Sequence, residues 1–239
     1  MARKRNVSTQ AGSVGHEPFN SAREQLDLEI RSLKSLQTLS YPRTLHSWKG
    51  AITEACRTAY NQQAVSMKVQ FDATVPRTQG QVLHKIYLGL EILPQRHLVT
   101  YCVAICDRAH EPHRIIRKFH FDVETMPQFE RKPICHLQLG GGIPPWLEHY
   151  KTDEFDTADA RCEKPRIPCL PPSFALLANW ILMEYEHVED IHDFIRRPDW
   201  ISGVRDAETL TWKKYFQHGN DHFGTTQGEH RCLVDRGYL

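Results

Sequence analysis

Residues 82–107 read VLHKIYLGLEILPQRHLVTYCVAICD, and their pattern decides the fold class. Val82, His84, Ile86, Leu88, Leu90 and Ile92 fall on one side of an extended chain, the two-residue period of a strand with one face on a core. Pro94-Gln95 makes a turn. Residues 97–107 are then apolar at both parities, Val99, Tyr101, Val103 and Ile105 against Leu98, Cys102 and Ala104. That composition suits a central strand covered on both sides.

Working outward, Val65, Met67, Val69 and Phe71 alternate with polar residues and lead into a turn at 77–80. On the other side come a loop over 108–112, a strand over 113–122 and a shorter one over Ile134–Leu139. Short turns between consecutive strands predict an antiparallel meander. Helices flank it. Ser21 and Glu24 form a capping box, followed by Leu26, Ile30, Leu33, Leu36 and Leu39 at helical spacing. Pro42 opens a second helix, with Leu45, Trp48, Ile52, Cys56 and Tyr60 along one side. Gly140–Pro145 breaks the strand pattern, and 148–170 reads as irregular. A helix from about Pro172 to His187 carries Phe174, Leu177, Trp180, Ile181 and Tyr185, and shorter helices are expected over 189–196 and 206–216. The fold class is thus α+β, an antiparallel β-sheet meander flanked by N-terminal and C-terminal helices. One domain over 19–216 is expected, with flexible polar tails at 1–18 and 217–239.

Composition supports a packed core. Of 239 residues, 40% are hydrophobic and 25% charged, enough apolar material to fold without disulfide or metal staples. The net charge of +1 provides no global field toward nucleic acid or membrane, although a local basic patch can still hold phosphate. Seven cysteines at irregular spacing read as reduced thiols of a cytoplasmic protein. No apolar run approaches the roughly 20 residues of a membrane span, and no apolar stretch follows Arg3, Lys4 and Arg5 as a secretory signal requires.

One polar constellation points to chemistry. Alternation along 114–122 sets Arg114, Lys118, His120 and Asp122 on one face, with Ile116 among them, and Ile115, Arg117, Phe119 and Phe121 on the other. In the next strand His136 and Gln138 share a face opposite Cys135, Leu137 and Leu139. If the two strands pair across 124–132, His120, Asp122, His136 and Gln138 form one cluster, with Arg114 and Lys118 beside it as phosphate-binding cations. Two imidazoles, a carboxylate and cations are the parts of acid–base phosphodiester cleavage. One His accepts a proton, the other donates one, and the cations stabilise oxyanion charge. The same residues would also serve as the polar, solvent-facing side of a half-exposed sheet.

Phe119-His120-Phe121-Asp122 followed by His136-Leu137-Gln138 resembles an H-aromatic-D … H-L-Q pattern of small prokaryotic proteins encoded near toxin–antitoxin, antiphage-defence and mobile-element genes, with the TumE-type toxins as a loose relative. The resemblance covers these two strands and neither helical end. It implies a role in bacterial defence or growth arrest, carried by His120, Asp122, His136 and Gln138.

Other signals fail their structural context. Arg108 to His113 and Arg131 to His136 fit the R-x4-H signature of HEPN ribonucleases, which works on a helix, yet Pro112 and Pro133 interrupt them. Asp122 with Glu130 and Lys132 echoes the acid pair and lysine of restriction-type nucleases, but Glu130 falls in a loop. Cys162 and Cys169 lack zinc-knuckle spacing, and His110 and His113 in a loop read as solvated. Gly140-Gly141-Gly142 runs into Ile143-Pro144-Pro145 rather than a helix N-terminus, so it is no phosphate loop. No cofactor fingerprint is present. Trp48 and Trp180 sit on apolar helix faces as core residues, while Trp146, Trp200 and Trp212 are placed to anchor a partner. Two functions stay open: a defence component acting on RNA or DNA phosphodiesters without a metal, or a non-catalytic subunit whose partner is another protein or a second copy.

Overall fold

The alternation of residues 65–92 folds back on itself as a hairpin. β1 (Val65–Arg77) pairs antiparallel with β2 (Gly80–Leu93) in continuous register from Val65↔Ile92 to Arg77↔Gly80. Gly80 closes the turn at φ +116°, a conformation that side chains disfavour. A single 3-10 turn, Pro94–Arg96, leads to β3 (Leu98–Asp107), and His97 reverses the chain in the left-handed region. β4 (Arg114–Val123) and β5 (Cys135–Leu139) complete a five-strand antiparallel meander. Two short strands in the stretch expected to be irregular extend it. β6 (Lys151–Thr152) runs parallel to the start of β4, and β7 (Ile167–Pro168) pairs with β5. The computed structural model describes residues 21–77, 80–108, 114–123, 135–139, 151–152, 167–213 and 215–216. The expected tails and the 124–132 connection lie outside them.

The helices cover one face of this sheet. α1 (Ala22–Gln37) starts at Ser21, whose Oγ accepts the Glu24 N–H at 3.1 Å. After a turn at Arg43–Leu45, α2 (His46–Gln62) buries Trp48, Ile52, Ala55 and Ala59. Tyr60, expected on that stripe, is exposed, because it lies one residue, about 100° of helix, past Ala59. α3 (Phe174–Glu184) is capped by Ser173, α4 (Glu189–Ile195) follows, and α5 (Pro198–Glu208) ends in a π-helical turn, Thr209–Lys213. The last helix thus begins at Pro198, ahead of the expected 206. Proline at its first turn loses no hydrogen bond, Asp199 accepts the Trp200 N–H at 2.9 Å, and the buried Trp200 seats it in the core.

One apolar core joins all five helices to the inner face of the sheet, with Trp48 edge-on to Phe174 near its middle. On the outer face Tyr87, Ala104, Cys106 and Ile115 form a second buried cluster, so β3 is indeed covered on both sides from Tyr101 to Cys106. Two tryptophans exchange their expected places. Trp200 is core, whereas Trp180 is 37% exposed. Trp212 is tied by its N–H to the Pro171 carbonyl at 3.0 Å, and Trp146 lies outside the described residues.

A buried acid links three elements. Glu29 of α1 accepts the Tyr101 hydroxyl of β3 at 2.9 Å and the Phe174 N–H that starts α3 at 3.1 and 3.2 Å. Burial pushes its pKa up to about 7, against the opposing pull of these bonds. No helix among the described residues is long and apolar enough to cross a membrane.

Candidate functional site

The β4–β5 ladder sets His120 opposite Gln138 and Asp122 opposite His136. β3 adds Thr100 opposite Asp122, Cys102 opposite His120 and Ala104 opposite Lys118. Partners across a ladder share a face, so Lys118, His120, Asp122, His136 and Gln138 converge on the outer face, as the sequence predicts. Phe119 and Phe121 point inward to Trp180 of α3, at ring distances of 5.4 and 5.9 Å.

The contacts within the cluster are specific. Thr100 donates its hydroxyl to Asp122 Oδ1. His136 Nε2 stands 3.6 Å from Asp122 Oδ2 and 3.2 Å from the Gln138 amide nitrogen. The two oxygens of Asp122 are therefore flanked from both neighbouring strands, and His136 Nε2 accepts an N–H of the Gln138 amide, whose nitrogen can only donate. His120 Nε2 lies 3.8 Å from Cys102 Sγ. Burial pushes the Cys102 thiol up to about 12, although the Lys118 charge pulls it down. At neutral pH this sulfur holds its proton and is no nucleophile. His136 is only 3% exposed and Lys118 only 4%, whereas His120 is half-buried and the Asp122 side chain is 30% exposed. Thr100 and Cys102 escape a search for motifs. Only the register of β3 against β4 reveals them.

Arg114 does not join the cluster. The β3–β4 register shifts between Ile105 and Cys106, which oppose Arg117 and Ile115, so Ile116 is an extra residue. Ile115 enters the outer cluster, Ile116 packs on the main core, and Arg114 falls in register with Asp107 on the side opposite Lys118. The expected pair of phosphate-binding cations is thereby split, and the cation that remains is buried.

Of the two R-x4-H matches, His113 and Arg131 lie outside the described residues, as do Glu130, Lys132, His110 and Cys162. His84 is buried at the inner edge of the sheet, with Nδ1 3.2 Å from the Tyr185 hydroxyl. Among the described residues, no three His, Cys, Asp or Glu side chains are grouped to hold a metal ion. No protein-family model, curated protein or solved structure matches this chain.

Proposed function

We propose that the outer face of β4 and β5 is an acid–base site for phosphodiester cleavage, in a component of a prokaryotic defence or toxin–antitoxin system. The observation that carries this reading is Asp122, held between Thr100 and His136 beside the half-buried His120. The division of labour differs from a symmetrical pair of imidazoles. His120 and Asp122 reach solvent, so His120 exchanges the proton with substrate. His136 and Gln138 act as positioning residues behind the carboxylate. Lys118, one same-face step along the strand from His120 and only 4% exposed, adds positive charge from behind the site without meeting substrate. Chemistry of this kind suits RNA. His120 takes the proton of the 2′-hydroxyl, O2′ attacks phosphorus to close a 2′,3′-cyclic phosphate, the P–O5′ bond breaks, and the 5′-oxygen leaves with the proton that His120 returns. The H-aromatic-D … H-L-Q resemblance supports the defence setting.

The test is cleavage of end-labelled RNA by the purified chain. His120→Ala is expected to lower the rate about 100-fold or more, with the melting temperature retained. An unchanged rate in His120→Ala would remove the catalytic reading. His136→Ala is a poorer probe, because it empties a buried position and lowers stability as well.

A second reading, a non-catalytic interaction subunit, is favoured by another observation. Leu139 and Ile167 of β5 and β7, with Trp180 and Met183 of α3, are exposed apolar residues at the inner side of the β4–β5–β7 edge. On this reading light scattering finds a dimer or a stable partner complex, and Leu139→Lys disperses it. A strictly monomeric chain that retrieves no partner counts against it.

A further inference from the structure

On the sheet face opposite His120 and Asp122, a cavity of about 410 Å³ opens between α3 and the ends of β1–β4. Its volume lies within the roughly 300–1,000 Å³ of small-ligand sites. The back wall is apolar, and the lining that gives it chemical character is His84, Arg117, Phe119, Trp180, Glu184 and Tyr185, with His187 at the rim occupied by the Thr74 carbonyl at 2.9 Å. Trp180 is held by two ring contacts, edge-on to Phe119 at 83° and to Phe121 at 74°, and it is still 37% exposed. An indole fixed in this way is a stacking platform whose orientation is set before a ligand arrives. His84 and the Tyr185 hydroxyl, 3.2 Å apart, form a polar floor.

Two opposite charges stand on facing walls. Arg117 comes from β4, beside the extra residue Ile116, and Glu184 from the last turn of α3. Both act on the Tyr185 hydroxyl. Burial raises its pKa, the Glu184 charge raises it further, and the Arg117 charge lowers it. Both side chains line the cavity beside Tyr185. Among the described residues neither forms a hydrogen bond or an ion pair. Both side chains are exposed at the cavity mouth, where water solvates them until a ligand with complementary groups displaces it, and a simple anion would face the Glu184 carboxylate. A planar ring with an anion on one side and an N–H donor on the other satisfies the whole set.

We infer that this cavity binds a mononucleotide, with the base stacked on Trp180, its amino or imino group donating to Glu184, and the phosphate on Arg117. This inference is independent of the phosphodiesterase reading, because it rests on the other face of the sheet and uses none of that site's residues. The experiment is titration of the full chain with AMP, GMP, CMP and UMP and with the four nucleosides, followed by tryptophan fluorescence and calorimetry. At least one mononucleotide is expected to bind saturably, about tenfold tighter than its nucleoside, the increment of one charge-assisted phosphate contact. Arg117→Gln should remove that advantage while leaving nucleoside binding in place. Trp180→Leu should weaken both about tenfold, the scale of one stacked base. Absence of saturable binding by all four mononucleotides overturns the proposal, and so does binding that Arg117→Gln leaves unaltered. Arg117 is an exposed residue, so the decisive variant does not depend on a core substitution.

Discussion

A carboxyl group with its pKa moved to about 7 makes stability respond to pH at one residue. Glu29 in the folded chain keeps its proton up to near neutrality, whereas unfolded it ionises around 4.5. Between those values the folded state binds more protons than the unfolded one, so its contribution to stability falls as pH rises. The full loss is on the order of 3 kcal/mol by the size of the shift. Glu29→Gln retains a carbonyl oxygen to accept from Phe174, reverses the bond to Tyr101 by donating an amide N–H to its oxygen, and removes the titration. Chemical denaturation at pH 5 and pH 8 is expected to show the variant losing less stability than the parent across that interval. Equal losses in both would refute this account. Thiols follow the same logic of burial. Cys102 and Cys106 are pushed up to about 12 and Cys169 to about 11, in each case chiefly by burial. A thiol-reactive dye at pH 8 should label these three slowly in the native chain and rapidly after unfolding. None of this is legible from residue types. An acid on an amphipathic helix ordinarily reads as solvent-facing, and only its meeting with Tyr101 and Phe174, far away in sequence, places Glu29 inside.

Elements are legible where local chemistry and periodicity agree. Ser21 caps α1 as its spacing to Glu24 predicts, and Ser173 does the same for α3 with an Oγ 3.3 Å from the Leu176 N–H. Replacing either serine by alanine is expected to cost about 1 kcal/mol, and to lower the melting temperature by roughly 2–4 °C. Ser173 is buried, so its variant should show the larger drop, which differential scanning calorimetry resolves. The strands β1 to β3 are equally clear, since alternation, turn residues and a doubly apolar centre all agree. Two elements conceal themselves. The start of α5 lies under the polar run Arg196-Arg197-Pro198-Asp199, which looks like a loop until Trp200 is seen in the core. The bulge in β4 falls at Ile115-Ile116, where two identical side chains fit either face and alternation cannot choose between them.

At the scale of the whole molecule, stability concentrates in the centre of the meander. β2 and β3 have strand neighbours on both sides, and both contribute residues to the inner and outer clusters. Their amides should exchange with solvent most slowly, while β5, with five residues and a two-residue neighbour in β7, should open earlier. Hydrogen exchange by mass spectrometry checks that order, and faster exchange in β3 than in β5 would contradict it. The candidate site was legible only on the condition that β4 pairs with β5, because parity sets which side chains share a face while the eleven residues between Val123 and Cys135 leave the register open. The burial of Lys118 and His136 was not, since alternation identifies a face without telling whether it meets water. The bulge, finally, bears on how kin of this chain are to be recognised. Same-face residues of a regular strand stand an even number of positions apart. Here the outer-face Ile115 and Lys118 stand three apart, with the added residue bordering the cavity wall. A relative that keeps this sheet will carry its buried apolar residue three positions before its lysine, and a search for strict alternation will pass it by.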